Sequence, residues 1–160
     1  MRINKWALST IIVGAVIALI GSKANAAGTN YGELHMTRSN QVAIQAVTKL
    51  LARHNMEYML EVFKCESQLV HYELDGTTLL KNRSGSNARG IAQIMTSVHP
   101  DKWVVVSYNQ KKGTDYDVKN INLSNTEDYT LYAIMLATIH PKLSDWAESR
   151  RCWISKITKN

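Results

Sequence analysis

Proline is scarce in this chain, two residues in 160, and cysteine is equally rare. No internal repeat or low-complexity tract interrupts it, so a Pro-rich spacer or a disordered body is excluded. Lys and Arg never cluster into the dense basic stripe that a nucleic-acid surface requires. Two cysteines without a supporting histidine cluster make a poor zinc site, and neither metal nor cofactor is expected. Long apolar runs are also lacking. The apolar run without charge over residues 7–20 rises about 21 Å as a helix, short of the roughly 30 Å of bilayer hydrocarbon.

What is present suits one globular domain. Hydrophobic residues make up 45% of the chain and charged residues 20%, and the length leaves room for a single core. Arg2 and Lys5 precede the apolar run, and Ala24-Asn25-Ala26 follows it as a small-x-small cleavage signature. Residues 1–26 therefore read as a secretory signal peptide and residues 27–160 as the domain it exports; an uncleaved anchor is the alternative. The expected location is the periplasm or cell wall. Loss of Arg2, Lys5 and Lys23 lowers the formal charge from +6 to +3, a mildly basic balance that suits an anionic wall polymer or a membrane surface. Cys65 and Cys152 both fall in the exported part, where pairing with each other is the simplest outcome.

Hydrophobic periodicity predicts the elements in turn. Residues 27–40 are polar and glycine-bearing, with Ser39 or Asn40 able to cap the helix that follows. Val42, Ala46, Val47, Leu50 and Leu51 mark that helix over residues 41–54. Asn55 can cap a second helix, residues 57–66, with Met59, Leu60, Val62 and Phe63 on overlapping apolar faces. Residues 69–80 alternate around Asp75-Gly76, a hairpin signal, and Asp75 reads as its turn residue. Residues 90–98 read as a short helix on the spacing of Ile91, Ile94, Met95 and Val98. Residues 101–123 form a long connection in which residues 103–106 suit either a strand or a helical turn, and residues 110–119 read as exposed loop. Ser124 with Glu127 is a capping box for a helix bearing Leu131, Ile134, Met135, Thr138 and Ile139. Residues 144–156 read as a last helix, whose Trp146 and Trp153 suit core packing or a sugar platform.

The chemistry concentrates at Glu66. It lies three residues after Phe63 and four after Val62, so it ends a core-facing stripe. Partial burial and the negative end of the helix macrodipole both disfavour its ionised form, which is how a carboxyl is kept protonated for acid catalysis. Many glycosidases need two carboxylates. One suffices where the substrate brings its own nucleophile, as the C6 hydroxyl of N-acetylmuramic acid can.

Glu66-Ser67, then Ser84 and Ala88, then Gly90-Ile91-Ala92-Gln93-Ile94-Met95, resemble the motifs of the soluble lytic transglycosylases, and Asn120-Ile121 is similar to that family's Asn-Ile motif. The resemblance spans residues 59–153. It implies an α+β, mainly α, lysozyme-like fold with a small β-hairpin beside the catalytic cleft. It also implies cleavage of peptidoglycan with 1,6-anhydro ends. By position, Glu66 becomes the acid then base, Ser84 lines the N-acetyl group, and Gln93 and Met95 contact sugar. Peptidoglycan strands are the expected partner of a monomer, with an export or conjugation apparatus added by family analogy.

Several positions depart from the pattern. The spacing from Glu66 to Gly90 is longer than usual, Thr96 stands where the family has proline, and Asn87 where it has a common glycine. The family's late Ala-Tyr-Asn-x-Gly motif is missing. Tyr108-Asn109-Gln110 mimics it but comes too early, and Tyr132 is the candidate left for the cleft tyrosine. Two other functions fit the same residues. One is a hydrolytic, goose-type lysozyme, with Asp75 or Asp101 as second acid. The other is a non-catalytic wall-binding or secretion-associated protein.

Overall fold

The computed structural model describes residues 36–158. The expected leader lies outside the described residues. The described chain is mainly helical, with five α-helices: α1 (Arg38–Arg53), α2 (Met59–Ser67), α3 (Asp101–Lys112), α4 (Thr126–Ile139) and α5 (Arg150–Ile157). Single 3-10 turns occupy Val118–Asn120 and Ser144–Trp146. No described helix is long and apolar enough to cross a membrane.

Helix α4 is the centre. Tyr129, Thr130 and every residue from Tyr132 to Ala137 are buried on it, the all-round burial of a core helix. Helices α1 and α3 pack against it, and α5 packs on α2. Asn125, not Ser124, caps α4: its Oδ1 accepts from the N–H groups of Glu127 at 2.9 Å and Asp128 at 3.2 Å. Either residue type can cap, so the sequence alone left the position one residue off.

Helix α1 buries Ala43, Ile44, Val47, Thr48 and Leu51, while Val42 is 59% exposed. The buried face is rotated from the expected one because Thr48 can turn inward. Its hydroxyl donates to the Ile44 carbonyl at 2.8 Å and leaves no polar group unsatisfied. Thr37 caps α1, accepting from the Asn40 N–H at 3.3 Å. Asn40 has a different task from the expected cap. Fully buried, it accepts from the N–H groups of His71 at 2.9 Å and Tyr72 at 2.8 Å and donates to the Tyr72 carbonyl at 3.0 Å. One side-chain amide thus takes the place of a neighbouring strand.

Asn55, with φ of 55°, closes α1 and does not cap α2, whose first turn has no side-chain cap. Helix α2 ends on two consecutive left-handed residues, Gln68 and Leu69, with φ of 56° and 65°. In the segment expected to be a hairpin, the backbone makes one antiparallel bridge, Tyr72 with Leu79, and no longer strand. Asp75 is its turn residue, accepting from the N–H groups of Thr77 at 2.9 Å and Thr78 at 2.8 Å. Those bonds, the Thr78 hydroxyl's foremost, hold its carboxyl down at about 2.

The helix expected over residues 90–98 is absent. Residues 89–94 form a closed turn instead, with Arg89 and Ile94 exchanging N–H to carbonyl bonds of 3.1 Å. Positive φ at Gly90 (68°) and Gln93 (50°) is incompatible with helix. The connection after Pro100 does the opposite. It forms helix α3, which buries Val104, Val105 and Tyr108 and leaves Trp103 and Val106 partly exposed. A β-branched run has weak local preference for helix, and packing on α4 decides. The expected last helix is split, its first part being the 3-10 turn and its second α5.

Asn40 gives the fold a test. Asn40→Ala would strip partners from the buried His71 N–H and from the half-buried N–H and carbonyl of Tyr72, and a loss of about 3 kcal/mol in urea unfolding is expected. A loss below about 1 kcal/mol would show that this side chain does not hold the 71–72 segment.

Candidate active site

Glu66 sits in the last turn of α2 and is partly buried. Burial raises its pKa above the usual carboxylate value, the Ser149 hydroxyl opposes that rise, and the negative charge of Glu148 adds to it. Ser149 is itself anchored: its Oγ receives the Trp153 indole N–H at 2.9 Å and lies 3.2 Å from the Trp146 carbonyl. Its hydroxyl donates to that carbonyl. A carboxyl so placed, at a helix C-terminus and short of donors, holds its proton more tightly than a free carboxyl does.

Beside it stands the 89–94 turn, whose polar backbone groups are taken up by side chains from four directions. Ser67, next to Glu66, donates to the Ile91 carbonyl at 2.7 Å. His71 accepts the Ile91 N–H at 3.2 Å. The Trp146 indole N–H donates to the Ala92 carbonyl at 2.8 Å. Tyr129 accepts from the Ile94 N–H at 3.2 Å and donates to the Arg89 carbonyl. Gly90 is required where it stands: a Cβ there would lie 2.8 Å from Cζ of Tyr129.

Gln93, expected to contact sugar, is nearly buried. Its Nε2 donates to the Gly90 carbonyl at 2.8 Å and its Oε1 accepts from Asn82 at 2.9 Å. Ser84 is exposed, and its N–H donates to Asn82 Oδ1 at 2.7 Å. Asn82 therefore joins Ser84 to Gln93, a link the sequence did not reveal. Met95 is half-buried just beyond the turn.

Tyr132 must be corrected. It is fully buried and its hydroxyl donates to the His99 carbonyl, with Asp101 beside it. It braces the chain ahead of α3 and is not a cleft residue. Tyr129, one helical turn earlier, is the tyrosine near the carboxyl. Burial raises its pKa most, and the Glu66 charge raises it further. Trp146 and Trp153 are core residues, 3% and 1% exposed, and form no sugar platform.

Glu148 was also missed, and it is the carboxylate whose charge acts on Glu66. Asp75 is spent on its own turn, and Asp101 faces Tyr132. Cys65 and Cys152 lie at disulfide distance, 1.99 Å between sulfurs, joining α2 to the first turn of α5. Among the described residues no group of three His, Cys, Asp or Glu is arranged to hold a metal. A cavity of about 260 Å³ lined by His54, Met56, Tyr58, Tyr108 and Lys112, among others, includes none of the site residues.

A raised carboxyl pKa means that the folded state holds the Glu66 proton more tightly than the unfolded state does. Its contribution to stability is complete below the ordinary carboxylate pKa and is lost as pH rises through the folded value. Glu66→Gln is therefore expected to raise Tm at neutral pH by a few degrees, on the order of what 1 kcal/mol gives. The difference should vanish as the pH falls through the ordinary carboxylate range, as a thermal scan across pH will show. A variant less stable than wild type at neutral pH would contradict this electrostatic account. Neither protein-family models, curated proteins nor solved structures returned a match to this chain.

Proposed function

We propose that this chain is an exported lytic transglycosylase acting on peptidoglycan between N-acetylmuramic acid and N-acetylglucosamine. The observation that carries the reading is a partly buried Glu66 with raised proton affinity, set against the glycine-bearing 89–94 turn. Protonated Glu66 gives its proton to the glycosidic oxygen as the C1–O bond breaks. The resulting carboxylate takes the proton of the muramic C6 hydroxyl, whose oxygen closes on C1. No water is consumed, the product is a 1,6-anhydro end, and Glu66 is again protonated. Export through the leader would deliver the protein to its polymer, where an export or conjugation apparatus that must pass the wall is a fitting partner.

Glu148 favours a second reading. A second carboxylate near the first is the arrangement of a hydrolytic muramidase, with Glu148 in the part earlier considered for Asp75 or Asp101.

Digestion of purified sacculi, followed by mass analysis of the released muropeptides, separates the readings. Anhydro products, lighter by one water than hydrolytic ones, are expected from wild type. Glu66→Gln should lower the rate roughly 10³-fold, whereas Glu148→Gln should leave turnover within a few-fold. Reducing-end products that disappear with Glu148→Gln would select the hydrolase, and no products from folded wild type would leave a wall-binding protein.

A further inference from the structure

His71 is fully buried, yet it is ionisable and only half satisfied. Its ring lies edge-on to Tyr72, with centroids 4.4 Å apart, and to Tyr129, with centroids 4.9 Å apart. Nδ1 accepts the Ile91 N–H, so the proton of the neutral ring resides on Nε2. Nε2 has no hydrogen-bond partner among the described residues. The backbone is fixed on both sides, its N–H by Asn40 and its carbonyl by the Leu80 N–H at 2.9 Å. An aliphatic side chain would fill this space without burying an unpaired N–H, but it could not accept from Ile91. The Ile91 peptide is thus held at one end by His71 and at the other by Ser67, the neighbour of Glu66.

We propose that His71 is the positioning residue of the candidate site, a latch that seats the 89–94 turn against Glu66 only while its imidazole is neutral. A proton on Nδ1 removes the lone pair that holds Ile91 and turns the acceptor into a donor facing a donor. The groups facing the ring are the phenols of Tyr72 and Tyr129. Arg89 on the turn points its guanidinium at the Ser86 and Ala88 carbonyls, Glu73 accepts from the Lys81 N–H, and Glu66 acts on Tyr129. Burial accordingly governs the ring and lowers its pKa to about 4. The latch is closed at neutral pH and opens on strong acidification. Its catalytic consequence rests on the function proposed above; the latch itself does not.

Two substitutions in the mature protein separate positioning from packing. The amide oxygen of Asn sits where Nδ1 does, and that of Gln where Nε2 does. His71→Asn should keep the Ile91 amide protected in NMR hydrogen exchange, keep kcat on sacculi, and abolish the acid-induced loss of protection expected of wild type near pH 4. His71→Gln should expose the Ile91 amide about tenfold, the equivalent of one lost hydrogen bond, and lower kcat with KM little changed. Equal Ile91 protection in both variants, or wild-type protection unchanged from neutral pH to below about 4, would overturn the latch. If His71→Gln does not fold, the wild-type and His71→Asn pH series still decides. If folded wild type digests no sacculi while the amide results hold, the enzymatic reading fails and the latch stands.

Discussion

A buried peptide group must have a partner, and the 89–94 turn has too few of its own. Ile91 and Ala92 are wholly buried, in a conformation that is neither helix nor strand, so ladder bonds cannot serve them. Each open group is met by a side chain from elsewhere: Ser67 at the end of α2, His71 in the bridged segment, Tyr129 on α4, and Trp146 in the 3-10 turn. The turn is therefore where four parts of the chain are brought into register. Asn40 extends the same device outward, tying the His71 backbone to α1. The position of Glu66 follows from this closure, because Ser67 is committed to the turn and fixes the last residues of α2.

Stability and proton affinity pull against each other at Glu66. Surroundings that withhold donors from a carboxylate favour its protonated form and cost folding free energy at neutral pH. Burial supplies that withholding, Ser149 opposes it, and the charge of Glu148 adds to it. The left-handed pair Gln68 and Leu69 ends the helix just after the carboxyl, which keeps Glu66 near the helix terminus.

Much of this was legible in the chain itself. The stripe ending at Glu66 follows from a spacing of three and four residues, and the pairing of two cysteines needs only an oxidising compartment. Asp75-Gly76 marked its turn. Other features were invisible because non-local contacts create them. Nothing local to Gly90 shows that Tyr129 lies against it, so Tyr132, on the same helix and equally aromatic, could not be told from it. Residues 90–98 have helical spacing, but positive φ at Gly90 and Gln93 and the outside partners override it. Residues 103–106 read ambiguously because β-branched side chains are weak local helix formers, and α4 supplies the surface that settles them. Asn40 read as a helix cap, and Asn82 and His71 gave no signal, since a polar residue meant for a distant backbone looks like any cap or loop residue.

Helix α5 has only eight residues, too few to persist unaided in water. Burial of Trp153 and the Cys65–Cys152 link to α2 hold it in place, and the link's 87-residue separation is worth about 4–5 kcal/mol of chain entropy. Ser149 and Glu148 immediately precede that helix, so the covalent tie also holds the two groups that bias the Glu66 proton. With the thiols free, the seating of α5 would rest on noncovalent contacts alone, among them the buried Trp153 and the 3.5 Å ion pair of Lys156 with Glu61 on α2.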